Sequence, residues 1–390
     1  MGNKKRMKAR SAAAREAESS EKYSEIRELE EEAREHFPVS QKAAQAYLDH
    51  LEAMKVQVDE RVLGRGGISS IIGPCPIDSI SANHRNHARF MAAVFHFGLP
   101  TMLVRMLPWV YNVYINRGVA PEYFRVELEA WDKEVGKQLS RDLAAPVQSV
   151  YRWMLNQHDQ MVSVSSRVND PVFNPQDWTE ELGRILHLLL QADYPGASEM
   201  LEDLVSEGGS LENVCENYIR PIMYRIGALW AEGEVNVAEE HLVTAIMSRI
   251  MSRYYARSFP EGKHNCGAVV ASVTDEFHEL GARLVADMLE LDGWDVVFLG
   301  SDVPGEDLIQ VVESRSPKIV ALSTTLPYNL LKLEELISGL QKFRTSNGLR
   351  IITGGLPFMI DPEAADRLDV DGWACSGPGA VALAAELRGE

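Results

Sequence analysis

Along the chain the spacing of apolar positions changes character several times. From about Ser20 to Arg61 the composition is charged and glycine is absent, with Pro38-Val39-Ser40 as the one interruption, so two helices are predicted. In the second, Ala44, Tyr47, Leu51, Met54, Val58 and Val62 recur at spacings of three and four and form a continuous apolar stripe. Such a stripe packs on something: a neighbouring domain, or a partner in dimerisation or signalling. The glycines and prolines between Arg65 and Pro76 predict a linker or wrapped loop. Between Ser79 and Met161 the pattern is helical and dense in aromatic residues, among them Phe90, Phe95, Trp109, Tyr111, Tyr123, Trp131, Tyr151 and Trp153. Pro100, Pro108, Gly118-Val119-Ala120-Pro121 and Pro146 are expected to divide it into roughly four or five helices.

After a loop from Asn169-Asp170-Pro171 to Gln176, the stretch from Trp178 to Ser258 has the pattern of a four-helix bundle. Thr179 before Glu180 and Glu181 is its start signal, and Pro195-Gly196 and Gly208-Gly209-Ser210 are expected dividers. From Asn265 the period shortens. Apolar runs at Ala268–Val273, Trp294–Leu299, Lys318–Leu322, Leu349–Thr353 and Asp371–Ala374 alternate with helical segments. This alternation predicts an α/β unit with a parallel, flavodoxin-like sheet and right-handed crossovers. No Gly-x-Gly-x-x-Gly or Walker sequence competes for its crevice.

Composition narrows the function classes. The 390 residues are 45% apolar, enough for two or three domains with their own cores. No run of about 18 apolar residues occurs and no apolar stretch follows Met1-Gly2-Asn3-Lys4-Lys5-Arg6, so neither a membrane span nor a secretory signal is expected and the reading is cytoplasmic. Cys75, Cys215, Cys266 and Cys375 are scattered without Cys-x-x-Cys pairing, which argues for reduced thiols and against a structural zinc site. A formal charge of −18 disfavours nucleic acid as the main partner, although Lys4, Lys5, Arg6, Lys8, Arg10 and Arg15 form a local basic tail, read as a disordered, solubilising end.

The candidate chemistry lies in Glu276-Phe277-His278-Glu279-Leu280-Gly281, where the first apolar run ends and a helix begins. A His at the carboxyl end of a strand points into the crevice where open α/β sheets hold ligands, and glycine at 281 lets a bulky ligand approach. After Gly281 come 41 residues to Ser323-Thr324-Thr325, then 28 more to Gly354-Gly355. The three anchors at this spacing resemble the cobalamin-binding module, whose pattern is Asp-x-His-x-x-Gly, then Ser-x-Leu, then Gly-Gly. The resemblance implies that His278 replaces the dimethylbenzimidazole base as lower ligand of cobalt. It also implies that the displaced nucleotide tail runs along Ser323, Thr325, Gly354 and Gly355. Glu276 stands where the usual Asp would orient the imidazole, with Asp275 as the alternative, and Thr325 replaces the usual Leu. Glu at that place is associated with light-sensing cobalamin proteins.

A second resemblance lies in the bundle, where Trp230 is followed after nine residues by Glu240-His241. This is similar to the cap over the upper face of cobalamin in methionine synthases and in light-dependent carotenogenesis repressors. It implies that Trp230 covers the upper ligand while Glu240 and His241 hydrogen-bond it. In those repressors a His directly follows the Trp, whereas this chain has Ala231, so His241 or solvent is left to serve after an adenosyl group departs. The aromatic region looks like the helical, globin-like module ahead of such units, with Trp109 and Arg117-Gly118-Val119 as points of likeness. In the photocobilins, which pair cobalamin with biliverdin, a second pigment lies close to the corrin. Aromatic walls with Arg85, Arg89, Arg105 or Arg117 for two propionates would suit a bilin, and Cys75 is a candidate attachment point.

The expected organisation is a charged extension and linker (1–75), a helical globin-like module (76–168), a four-helix cobalamin cap (175–260) and a flavodoxin-like cobalamin domain (264–390). The expected function is light sensing by adenosylcobalamin, with biliverdin as second chromophore and a light-dependent homo-oligomer passing the signal to a downstream partner. No enzymatic activity is expected. The rival is a corrinoid carrier for methyl transfer, since carriers share the bundle-plus-sheet arrangement. A mutase would need a catalytic barrel of roughly 250 residues that the sequence does not show.

Overall fold

The computed structural model describes residues 25–165, 178–206, 211–255 and 266–389. The basic tail, the loop at 169–176 and the Gly208–Ser210 divider lie outside the described residues. The chain separates into two compact units, Met1–Asp170 and Pro171–Glu390. Among the described residues no helix is long and apolar enough to cross a membrane.

Among its described residues the first unit has helices and no strand. After α1 (25–35) come α2 (Gln41–Asp49) and α3 (Leu51–Leu63), which divide the expected single helix at His50. The stripe survives the break, because all six of its positions are buried. The segment read as a linker contains a short helix, α4 (Ile68–Ile72), anchored by burial of Ile68 and Ile72. Then follow α5 (Ile77–Phe97), α6 (Pro100–Ile115), α7 (Glu122–Gln138), α8 (Arg141–Asn156) and α9 (His158–Ser165). Pro108 and Pro146 do not punctuate, contrary to expectation; they lie inside α6 and α8, where buried neighbours such as Leu107 and Val147 hold the helix against the loss of one amide donor. Most of the aromatic set is core: Trp131, Tyr123, Tyr151, Phe95 and Tyr47 are fully buried, with the Tyr47 and Tyr151 hydroxyls 2.8 Å apart. His84, also fully buried, sets Nδ1 2.6 Å from Asp59 Oδ1, and Lys55 and Ser81 bond the same carboxylate.

The described residues of the second unit begin with four helical segments. They are α10 (Glu180–Leu190), α11 (Tyr194–Ser206), a third that runs from α12 (Leu211–Val214) through a π-helical turn (Cys215–Ile219) into α13 (Arg220–Ala231), and α14 (Val237–Tyr255). Thr179 caps α10 by accepting the Leu182 amide. Pro195-Gly196 falls inside the first turn of α11 rather than between helices, since Pro is tolerated there and Asp193 accepts the Gly196 amide; the divider is the turn at Ala192.

The strands β1 (Gly267–Ser272), β2 (Asp295–Phe298), β3 (Ile319–Ser323), β4 (Arg350–Gly354) and β5 (Gly372–Ala374) form one parallel sheet in the order β2-β1-β3-β4-β5. This is the flavodoxin-like order, whose ligand crevice opens at the carboxyl ends of β1 and β3, where the winding reverses. The helices between strands are α15 (Leu280–Leu291), α16 (Gly305–Arg315), α17 (Leu330–Asn347), α18 (Leu356–Ile360) and α19 (Glu363–Asp366), with α20 (Gly377–Arg388) last. Helix α15 is apolar on two sides. Leu280, Leu284 and Met288 join the core of the bundle, while Ala282, Ala286 and Leu289 pack on the sheet, so one helix mortars the two layers together.

Candidate functional site

The register brings Ser272, Ser323, Gly354 and Ala374 to one level across the carboxyl edge of the sheet. Beyond Ser272 the chain turns through Thr274 and Asp275, and Glu276 folds back beneath the edge, where its side chain is fully buried. Its Oε2 accepts the backbone N–H of Thr325 at 2.7 Å and of Leu326 at 2.9 Å, with Asn329 Nδ2 at 3.4 Å. Its Oε1 lies 2.5 Å from His278 Nδ1 and accepts the His278 amide at 3.2 Å. The His278 side chain is 57% exposed, so the ring stands out of the edge with Nδ1 committed to Glu276 and Nε2 left for a ligand. Asp275, the alternative partner for the imidazole, does not serve. Its φ of 63° turns the carboxylate onto Lys332.

Electrostatics follow from this geometry. Burial alone would raise Glu276, but the hydrogen bond and charge of His278 and the amides of Leu326 and Thr325 outweigh it and hold the carboxyl below its ordinary value. For His278 burial acts downward, and the hydrogen bond and charge of Glu276, with the charge of Glu240, reverse it and raise the imidazole. An anionic Glu276 fixes the proton on Nδ1, the tautomer that leaves the Nε2 lone pair for a metal.

The far wall of the edge is built from backbone. A β-carbon on Gly355, whose φ is 116°, would lie 1.9 Å from Thr324 O, and one on Gly354 would lie 2.7 Å from Ala374 O. Both glycines are therefore required for the sheet edge to stay flat and open. At Gly281 a β-carbon would meet nothing, so the chain's own packing does not demand glycine there. The open space is what a bulky ligand would fill.

The bundle contributes Trp230 near the end of α13, and Glu240 and His241 in the first turns of α14. Glu240 accepts from Thr244 Oγ1 at 2.9 Å and lies 2.6 Å from His241 Nδ1, while the His241 side chain is 73% exposed. Tyr224 of α13 donates to Met359 Sδ at 3.4 Å, which links the bundle to α18 beside Gly354-Gly355. Ala231 is buried, so that position offers no ligand. The reading from sequence missed Asn329 and Lys332, which support the His278 turn from α17 and its approach. Nothing in their spacing marks them. Of the bilin candidates in the first unit, Arg105 pairs with Glu30 at 2.6 Å, Arg117 bonds Val113 O at 2.6 Å, Arg85 is exposed and Cys75 is buried.

Two family models match the second unit, each described as a B12 binding domain, over residues 182–255 and 267–386. Both support cobalamin as the ligand. Among curated proteins the chain is 30% identical over 179 residues to the HTH-type transcriptional repressor CarH of Myxococcus xanthus, covering 46% of this chain and 58% of the repressor's length. It is 23% identical over 213 residues to corrinoid protein DSY3155 of Desulfitobacterium hafniense, covering 54% of this chain and 98% of that one. Among solved structures the Methanosarcina barkeri monomethylamine corrinoid protein is matched over 56% of this chain and all of its own, at 18% identity and a TM-score of 0.47. The residues present fit a corrinoid: one outward imidazole with its tautomer fixed, an edge kept flat by glycine, and space over Gly281. Among the described residues no group of three or more His, Cys, Asp or Glu side chains could hold a metal ion.

Proposed function

We propose that the chain is a light sensor built on adenosylcobalamin, with His278 as lower cobalt ligand and biliverdin as a second pigment in the globin-like first unit. The observation that carries the reading is the Glu276–His278 pair at the topological switch point, with Glu276 Oε1 2.5 Å from His278 Nδ1. Bound adenosylcobalamin would supply a green-absorbing, photolabile cobalt–carbon bond. The chain's own residues set its surroundings. Glu276 orients His278, Ser323, Thr325, Gly354 and Gly355 line the path for the nucleotide tail, Trp230 screens the upper side, and Glu240 with His241 offers polar contacts there. The similarity to the CarH repressor and the Glu at 276 favour sensing. The near-complete match to a corrinoid protein keeps a methyl-carrier role as the second reading.

The test is an absorption spectrum of the adenosylcobalamin-loaded chain before and after green light, followed by size-exclusion chromatography in dark and light. A light-induced spectral change with a shift in elution is expected, and His241→Ala separates a trapping role for that imidazole from one for solvent. Identical elution in both states sinks the switch. His278→Ala is expected to weaken cobalamin retention and alter the cobalt spectrum. For the second pigment, co-expression with haem oxygenase should yield a far-red band that disappears when residues before Trp178 are removed. A colourless full-length protein refutes it.

A further inference from the structure

The turn that presents His278 contains one of two strained backbone positions that hold each other. Asp275 and Asp302 both have positive φ, 63° and 52°, a region that side-chain-bearing residues adopt at a cost and that Asp tolerates better than most. They belong to different loops, Asp275 to the one after β1 and Asp302 to the one after β2. The Asp275 amide donates to Asp302 Oδ1 at 2.7 Å, and the Asp302 amide donates to Glu276 O at 2.9 Å. The second loop is tied on further by Ser272 N to Gly300 O at 2.9 Å and Thr274 Oγ1 to Val303 O at 2.8 Å. From the other side Asn329 Nδ2 donates to Asp275 O at 3.2 Å, and Lys332 pairs with the Asp275 carboxylate. The outcome of all these contacts is the direction of residue 276, and through its carboxylate that of the His278 ring.

We infer that Asp302 is a positioning residue for the cobalt ligand: its carboxylate and its left-handed backbone lock the β1 loop to the β2 loop, so that Glu276 and His278 are aimed before the corrinoid arrives. The inference rests on His278 being the lower ligand. It explains why an exposed Asp occupies a strained position at the mouth of the crevice, where a residue with only a solvating role would relax to negative φ. Orientation of this kind matters because the imidazole must displace the cofactor's own dimethylbenzimidazole, and a ring free to sample other directions competes less well for the metal.

The test uses the full chain, uniformly labelled with ¹⁵N and loaded with unlabelled cob(II)alamin, read by electron paramagnetic resonance. A protein imidazole on cobalt splits each cobalt line into a doublet, and the cofactor's own base splits it into a triplet. Three proteins are compared. The wild type is expected to give the doublet. Asp302→Gly keeps the backbone permissive but removes the carboxylate, and is expected to return part of the cobalt to the triplet and to lower cobalamin affinity about tenfold. Asp302→Asn keeps an acceptor and tolerance of positive φ, and is expected to restore the doublet. In the cofactor-free protein, Asp302→Gly should also speed hydrogen exchange at the Asp275 amide, a readout independent of loading. Doublets with equal affinity in wild type and Asp302→Gly overturn the positioning role alone. A triplet in the wild type overturns the ligand reading itself and the inference with it.

Discussion

Glu276 decides more of this site than its single charge suggests. Four amide donors and one imidazole converge on a side chain that water does not reach, so the carboxylate stays ionised and the proton between it and His278 sits on Nδ1. In Glu276→Gln one oxygen becomes an amide group. If the remaining oxygen keeps the Thr325 and Leu326 amides, the new N–H₂ faces the His278 amide and ring; it can only donate to Nδ1, which moves the ring proton to Nε2. Cobalamin affinity should fall about 10- to 100-fold, and the fold should lose about 1 to 3 kcal/mol from unpaired donors. Equilibrium dialysis and urea denaturation check the two parts, and unchanged affinity would remove Glu276 from the orienting role. His278, Gly354-Gly355 and Glu276 were read from the sequence through the resemblance to the cobalamin-binding pattern, with Asp275 as the alternative to Glu276. The sequence left Asp275 open as that alternative, because its exclusion depends on a left-handed backbone turn at 275 that spacing does not encode. Asp302 was invisible for the same reason.

The elements were legible where a period was clean, and the expected strands and bundle helices appear within a few residues. Errors fell at prolines, where Pro108, Pro146 and Pro195 read as breaks but lie within helices stabilised by their surroundings. The role of α15 was only half visible, since amphipathicity announces one buried face and this helix has two. Its remaining side carries a polar joint to α14: Arg283 donates to Ser248 Oγ at 3.1 Å and Ser252 Oγ at 2.9 Å, and Tyr255 bonds Glu290. Asp287 lies in this joint. Burial, the larger effect, and the charge of Glu290 push its carboxyl from 3.8 up to about 6 against the opposing charge of Arg283. The folded state therefore binds a proton more tightly than the unfolded chain. Its contribution is neutral below pH 3.8, and stability falls as pH rises to about 6, then stays reduced by at most about 3 kcal/mol. Asp287→Asn should raise the urea midpoint near pH 8, leave it little changed near pH 4 and flatten the curve between. Parallel curves for wild type and variant would show that Asp287 ionises in the fold without penalty.

At the scale of the whole molecule, each compact unit holds the contacts its own fold requires. In the first, the Arg61–Glu134 ion pair, the His84–Asp59 contact and the Tyr47–Tyr151 hydroxyl pair all close within α2 to α8. In the second, the sheet edge, the His278 turn and the bundle with Trp230 and Glu240 are all present, joined through α15. A ligand that binds the native form of one unit stabilises that unit by RT ln(1 + [L]/Kd), about 2.7 kcal/mol at a hundredfold excess over Kd, and leaves an independent unit unchanged. Calorimetry of the full chain should then show two transitions, of which adenosylcobalamin raises one and biliverdin the other. A fragment from Pro171 to Glu390 should reproduce the cobalamin-responsive transition with affinity within about threefold of the full chain, since it keeps every residue assigned to that site. Loss of cobalamin binding in a folded fragment, or a cobalamin shift of equal size in both transitions, would show that the helical unit helps to build the site and that the two fold as one.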